Sequence, residues 1–176
     1  MRTAPLTSLS GFTLLLALLT GGCATHQFVN GAVSYTSTPP VADHSGALPL
    51  TGTVCVDHNV HFPSYTAGVQ LGSCKLAGRD NPARGRGASG GSATLHDNTG
   101  DGCVLPTSTG DLPIRVDNAT LQYGGTAVDV TVGGTTNDGR YLTYRFTGTY
   151  GAEAPSNECD EVLKPIPAAP ASPAED

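Results

Sequence analysis

The chain has 176 residues, 9 of them Lys or Arg against 15 Asp or Glu, for a formal net charge of −6 at pH 7. That balance argues against a nucleic-acid partner, which needs a basic face to neutralise phosphates. With 38% hydrophobic residues, 23 Gly, 13 Pro and no Trp, the part beyond the N-terminal leader is long enough for one domain with its own core.

Arg2 precedes the apolar run Phe12-Thr13-Leu14-Leu15-Leu16-Ala17-Leu18-Leu19, and Thr20-Gly21-Gly22-Cys23 follows. Basic, then apolar, then small residues make a secretory signal, and the apolar run is too short for a bilayer-spanning helix. A cysteine directly after two glycines resembles the signal of a bacterial lipoprotein, although Thr20 stands where an aliphatic residue is usual. The resemblance covers residues 1–23. It implies removal of a signal peptide at 1–22, acylation of Cys23 and a membrane as the first partner, reached through that lipid anchor. Ala24 follows where Asp would favour inner-membrane retention, which implies the outer membrane, with the side left open.

Residues 23–48 mix Thr, Ser, Pro and Gly and read as a tether, broken at Thr38-Pro39-Pro40, that lifts the domain off the membrane. One strand candidate, Phe28 to Tyr35, lies within it. The β domain is expected over 49–163. Thr51 to Asp57 alternates with Val54 and Val56 on one side and Cys55 on the other; Ala67 to Leu76 carries Val69 and Leu71 on one side and Cys74 on the other. Cys55, Cys74, Cys103 and Cys159 are an even set in an exported chain and lack C-x-x-C spacing, so they read as two disulfides rather than a zinc site. Pairing the two segments favours Cys55–Cys74, which leaves Cys103–Cys159; sequence alone does not decide among the three connectivities.

Two histidines, His58 and His61, lie beside Asp57, and His96 precedes Asp97. Neutral imidazoles oriented by carboxylates are metal ligands, so His58, His61, His96, Asp97 and Asp101 form a weak candidate set. Lys75, Arg79, Arg84 and Arg86 concentrate positive charge on one stretch of an acidic chain and read as a partner-docking loop. Gly87-Ala88-Ser89-Gly90-Gly91 matches a nucleophile-elbow pattern but lacks the flanking strand and helix that present the serine, so it reads as a false match. Asp97-Asn98-Thr99-Gly100-Asp101-Gly102 has the wrong residues for an EF-hand loop and reads as a turn delivering Cys103 to its disulfide.

Ser92 to His96 and Leu112 to Val116 supply further strands. The clearest pattern follows. Ala119 and Leu121, then Val128, Val130 and Val132, then Leu142, Tyr144 and Phe146 alternate with polar residues across glycine turns, as in an antiparallel meander. A three-residue loop at Asn137-Asp138-Gly139 sets Val132 opposite Tyr144 and Val130 opposite Phe146; a two-residue turn at Gly124-Gly125 sets Leu121 opposite Val128. The other face carries Asp129, Thr131, Thr143, Arg145 and Thr147. Residues 164–176, rich in Pro and Ala, read as an extended tail.

The expected fold is all-β: an antiparallel β-sandwich or partly open β-barrel stapled by two disulfides, with about six to eight strands. The expected function is a lipid-anchored, non-enzymatic module that binds a protein of the envelope, as inhibitor, immunity factor or assembly accessory, with no cofactor. A metal- or calcium-binding envelope protein is the alternative, and a periplasmic hydrolase ranks last.

Overall fold

The computed structural model describes residues 25–58, 65–82, 90–97, 100 and 102–164. Residues 1–24, with Cys23 among them, and likewise His61, Arg84, Arg86, Ser89, Asp101 and residues 165–176, lie outside the described residues. Among the described residues the strands are β1 (Thr25–Thr38), β2 (Gly46–His58), β3 (Tyr65–Leu71), β4 (Cys74–Pro82), β5 (Gly90–Asp97), β6 (Cys103–Thr107), β7 (Gly110–Gly124), β8 (Ala127–Thr136) and β9 (Tyr141–Glu153). A 3-10 turn at Ala42–His44 joins β1 to β2, and helix α1 (Ser156–Leu163) follows β9.

The strands pair antiparallel in the order β5-β4-β3-β2-β1-β9-β8-β7, and β5 pairs again with β7, which closes an eight-stranded barrel. Closure satisfies backbone groups that an open sheet would leave at its edges. The extra strand is β6. It takes the edge of β7 at residues 110–114, while β5 takes the same edge at 119–124. The other side of β6 is blunted, because the Val104 carbonyl accepts the Ser73 hydroxyl at 3.4 Å and the Pro106 carbonyl accepts the Tyr144 hydroxyl at 2.9 Å. Pro106 has no N–H to offer a further strand.

Register follows the apolar pattern. Val130 lies opposite Phe146 and Val132 opposite Tyr144, as the three-residue loop requires, with Gly139 at φ +80°. At the β7–β8 turn the pairing differs from expectation: Leu121 faces Val130, not Val128, because Gly125 and Thr126 form the turn and Gly125 takes φ +58°. A slip of two residues keeps every side chain on its face, so the apolar set is unchanged. Val33, Val54, Leu76, Leu121, Val130 and Phe146 fill the interior, each at most 1% exposed. The end bounded by β6 is plugged. Tyr35 and Tyr144 lie with ring centroids 6.0 Å apart, and the Tyr35 hydroxyl accepts the Ser108 N–H at 2.8 Å.

Residues 25–38, expected as tether, form β1, which pairs with β2 on one side and β9 on the other. Among the described residues the barrel therefore begins at Thr25. The expected strand at 28–35 is the middle of this longer one. Gly and Thr made the segment look like linker, yet Val29, Val33 and Tyr35 alternate inward and are at most 4% exposed.

The disulfides are Cys55–Cys159 and Cys74–Cys103, with Cα–Cα distances of 5.5 and 4.5 Å. The favoured pairing Cys55–Cys74 is thus corrected, and the cause is a turn. Gly72-Ser73 splits the supposed single strand at 67–76 into β3 and β4, with Leu71 opposite Cys74. Cross-strand neighbours share a face, so Cys74 points inward with Leu71 and meets Cys103 of β6. Cys55 points outward, opposite Val54 and Val56, and meets Cys159 of α1 under a small cluster with Val162 and Leu163. Gly68 pairs with Cys55, and a Cβ there would stand 2.8 Å from Val162 Cγ1, so only glycine lets the helix lie this close to the barrel wall.

Candidate functional site

At the end of the barrel opposite β6, β1, β3, β5 and β8 begin and β2, β4, β7 and β9 end. A groove of about 730 Å³ runs over this rim, lined by Asn81, Ser92, Gln122, Tyr123, Val128, Asp129, Thr147 and the glycines 90, 91, 124 and 148. Mouths of barrels are common ligand sites because side-chain packing ends there while the backbone stays fixed. On the outer wall the groove continues, through Gln122 and Asp129, into a depression of about 340 Å³ with Thr120, Thr131 and Arg145. Arg145 donates to both carboxylate oxygens of Asp129, Nε at 3.1 Å and Nη2 at 2.6 Å, which fixes the planar edge of that pair. Asp129, Thr131 and Arg145 are among the polar-face residues expected from the meander.

Beneath the groove lies a pair that sequence reasoning missed. The Tyr123 hydroxyl donates to Asp80 Oδ2 at 2.7 Å, and Asp80 is only 2% exposed. Tyr123 belongs to β7 and Asp80 to β4, with β5 between them. The phenol crosses at Gly91, where an added Cβ would stand 2.6 Å from the Tyr123 hydroxyl. Burial, then the hydrogen bond and charge of Asp80, push the Tyr123 phenol well above its ordinary range. Tyr150 lines a recess of about 210 Å³ inside the rim, with Thr25, Gln27 and Gly125. Burial, then the charge of Asp80, pushes Tyr150 up to about 12. Both phenols are therefore neutral hydrogen-bond donors at neutral pH. The available signal was parity: once the turn at Gly72-Ser73 is placed, Cys74, Leu76 and Asp80 all point inward, and an inward carboxylate requires a donor.

The expected docking residues divide. Lys75 and Arg79 share the outward face of β4; Lys75 Nζ lies 3.8 Å from Glu161 of α1, and Arg79 is exposed. Arg84 and Arg86 fall outside the described residues, but the segment that carries them leaves β4 at Pro82 and enters β5 at Gly90, at the lip of the groove.

Of the metal candidates, the two described histidines lie on different strands and apart. His58 ends β2 at the open rim, whereas His96 pairs with Ala77 toward the far end of β5 and is exposed. Asp97 Oδ2 accepts the Gly102 N–H at 2.9 Å, so that carboxylate is engaged with the backbone just before Cys103. Among the described residues no three His, Cys, Asp or Glu side chains are arranged to hold a metal ion.

The fold and site define an antiparallel, disulfide-stapled β-barrel with an extra strand, a side-chain-filled interior and a groove over one rim. No family model matches the chain, nor does any curated protein or solved structure.

Proposed function

We propose that this is an outer-membrane lipoprotein, anchored through Cys23, that acts as a non-enzymatic binding module for another envelope protein. Inhibition of, or immunity against, a wall-degrading enzyme and accessory service in an envelope assembly are the roles that suit it. The observation that carries the reading is the join between groove and basic segment. Asn81 and Gly90, which flank the segment bearing Arg84 and Arg86, both line the groove. A partner loop seated against Gln122 and Asp129 would lie beside Asn81 and Gly90, between which Arg84 and Arg86 fall in the sequence, and an acidic loop would gain from that charge. The frame is rigid, so little ordering entropy is lost on docking.

The test is affinity capture from envelope extract with wild-type protein and two variants. One is Arg84→Glu with Arg86→Glu; the other is Ala127→Trp, which fills the groove from an exposed position. A stoichiometric partner held by the wild type and lost by both variants, with melting temperatures unchanged, is the expected result. Capture that survives both variants overturns the groove as docking site.

A further inference from the structure

We propose that the open rim of the barrel rests on the bilayer surface, so that the groove opens sideways just above the lipid headgroups. This inference takes Cys23 as the acylated residue and adds which face meets the lipid. Thr25, the first residue of β1, pairs with Val56 and lines the rim recess beside Tyr150 and Gly124. Only Ala24 separates it from Cys23. Two residues of chain reach about 7 Å at full extension, so the acyl cysteine stays within that distance of the rim however the domain turns. The start of β1 is not free to lengthen the link: it pairs with β2 from Thr25 onward, and the His26 carbonyl accepts the Ala154 N–H at 2.9 Å.

The short link to Cys23 sets this orientation rather than charge, since exposed carboxylates stand at both ends: Glu153, opposite Gln27, and Asp57, next to Val56, at the rim, and Asp43 and Asp111 at the far end. A protein reaching the groove then approaches along the membrane plane, and a membrane-embedded partner is better placed than a freely diffusing one.

The chain has no tryptophan, so one introduced indole reports one place. Thr126→Trp marks the turn at the rim, and Asn137→Trp marks the turn at the far end; both positions are exposed. Each full-length, exported protein is reconstituted in phosphatidylethanolamine–phosphatidylglycerol vesicles that contain headgroup spin-labelled lipid. The expected result is that the indole at 126 loses most of its emission while that at 137 keeps its own. Equal or reversed quenching in vesicle-bound protein overturns the orientation. If wild type and Cys23→Ser both fail to co-sediment with vesicles, the anchor itself is overturned, an outcome distinct from a wrongly assigned face.

Discussion

Tyr123 crosses an entire strand at Gly91 to donate its hydroxyl to Asp80 on the next strand but one. Three segments distant in sequence are thereby held at one rim, directly under the groove. Tyr123→Phe removes a charge-assisted donor from a buried carboxylate and is expected to cost about 1–3 kcal/mol in denaturant unfolding. Gly91→Val is expected to cost at least as much by displacing the same ring, and the two changes together should cost less than their sum. Simple additivity would show that the ring does not depend on Gly91.

Alkaline pH should reveal the buried phenols. Tyr150 is raised from 10.0 to about 12, so its neutral form is favoured by folding. That stability is complete below pH 10, where the unfolded phenol begins to ionise, and is lost as pH rises through 12. Tyr123 and Tyr144 are raised in the same direction, chiefly by burial. Stability measured against pH should fall above pH 10, and Tyr150→Phe should make the fall shallower. An identical slope in the variant would exclude Tyr150 as a contributor.

Non-reducing peptide mapping should recover Cys55 joined to Cys159 and Cys74 joined to Cys103. Replacing both members of either pair with Ser is expected to cost about 3–5 kcal/mol in the loop-closure account. The Cys55 and Cys159 pair spans 104 residues against 29 for the other, so its loss should be the greater. Recovery of a Cys55–Cys74 peptide would contradict the face assignment of β4.

Helix α1 lies where it does because Gly68 has no side chain. Gly68→Val should lower stability by about 1–3 kcal/mol through overpacking against Val162. Val162→Ala in the same chain should recover part of that loss. If the second change only adds to the damage, the helix is not in direct contact at that position.

The meander from residue 119 to 147 was legible because alternation and turn glycines agree there, down to the loop at Asn137 to Gly139. Elsewhere one turn residue carried the outcome. The slip at Gly125 was harmless because it moved the register by an even number, whereas the unseen turn at Gly72 and Ser73 reversed the face of Cys74 and so the disulfide pairing. Strand β1 was obscured by its glycine and threonine content, and α1 because eight residues offer little periodicity to read. The Asp80–Tyr123 pair was out of reach for a different reason. Its members are 43 residues apart and meet only when the barrel closes.

The Cys55–Cys159 bond also bears on how the protein responds to proteolysis. The connections from β2 to β3, β4 to β5 and β5 to β6 all lie between these two cysteines. A single cut in any of them therefore yields two pieces that remain one covalent molecule, with the N-terminal piece still carrying Cys23. Nicking within these connections would change the gel pattern under reducing conditions while leaving the assembled barrel in place.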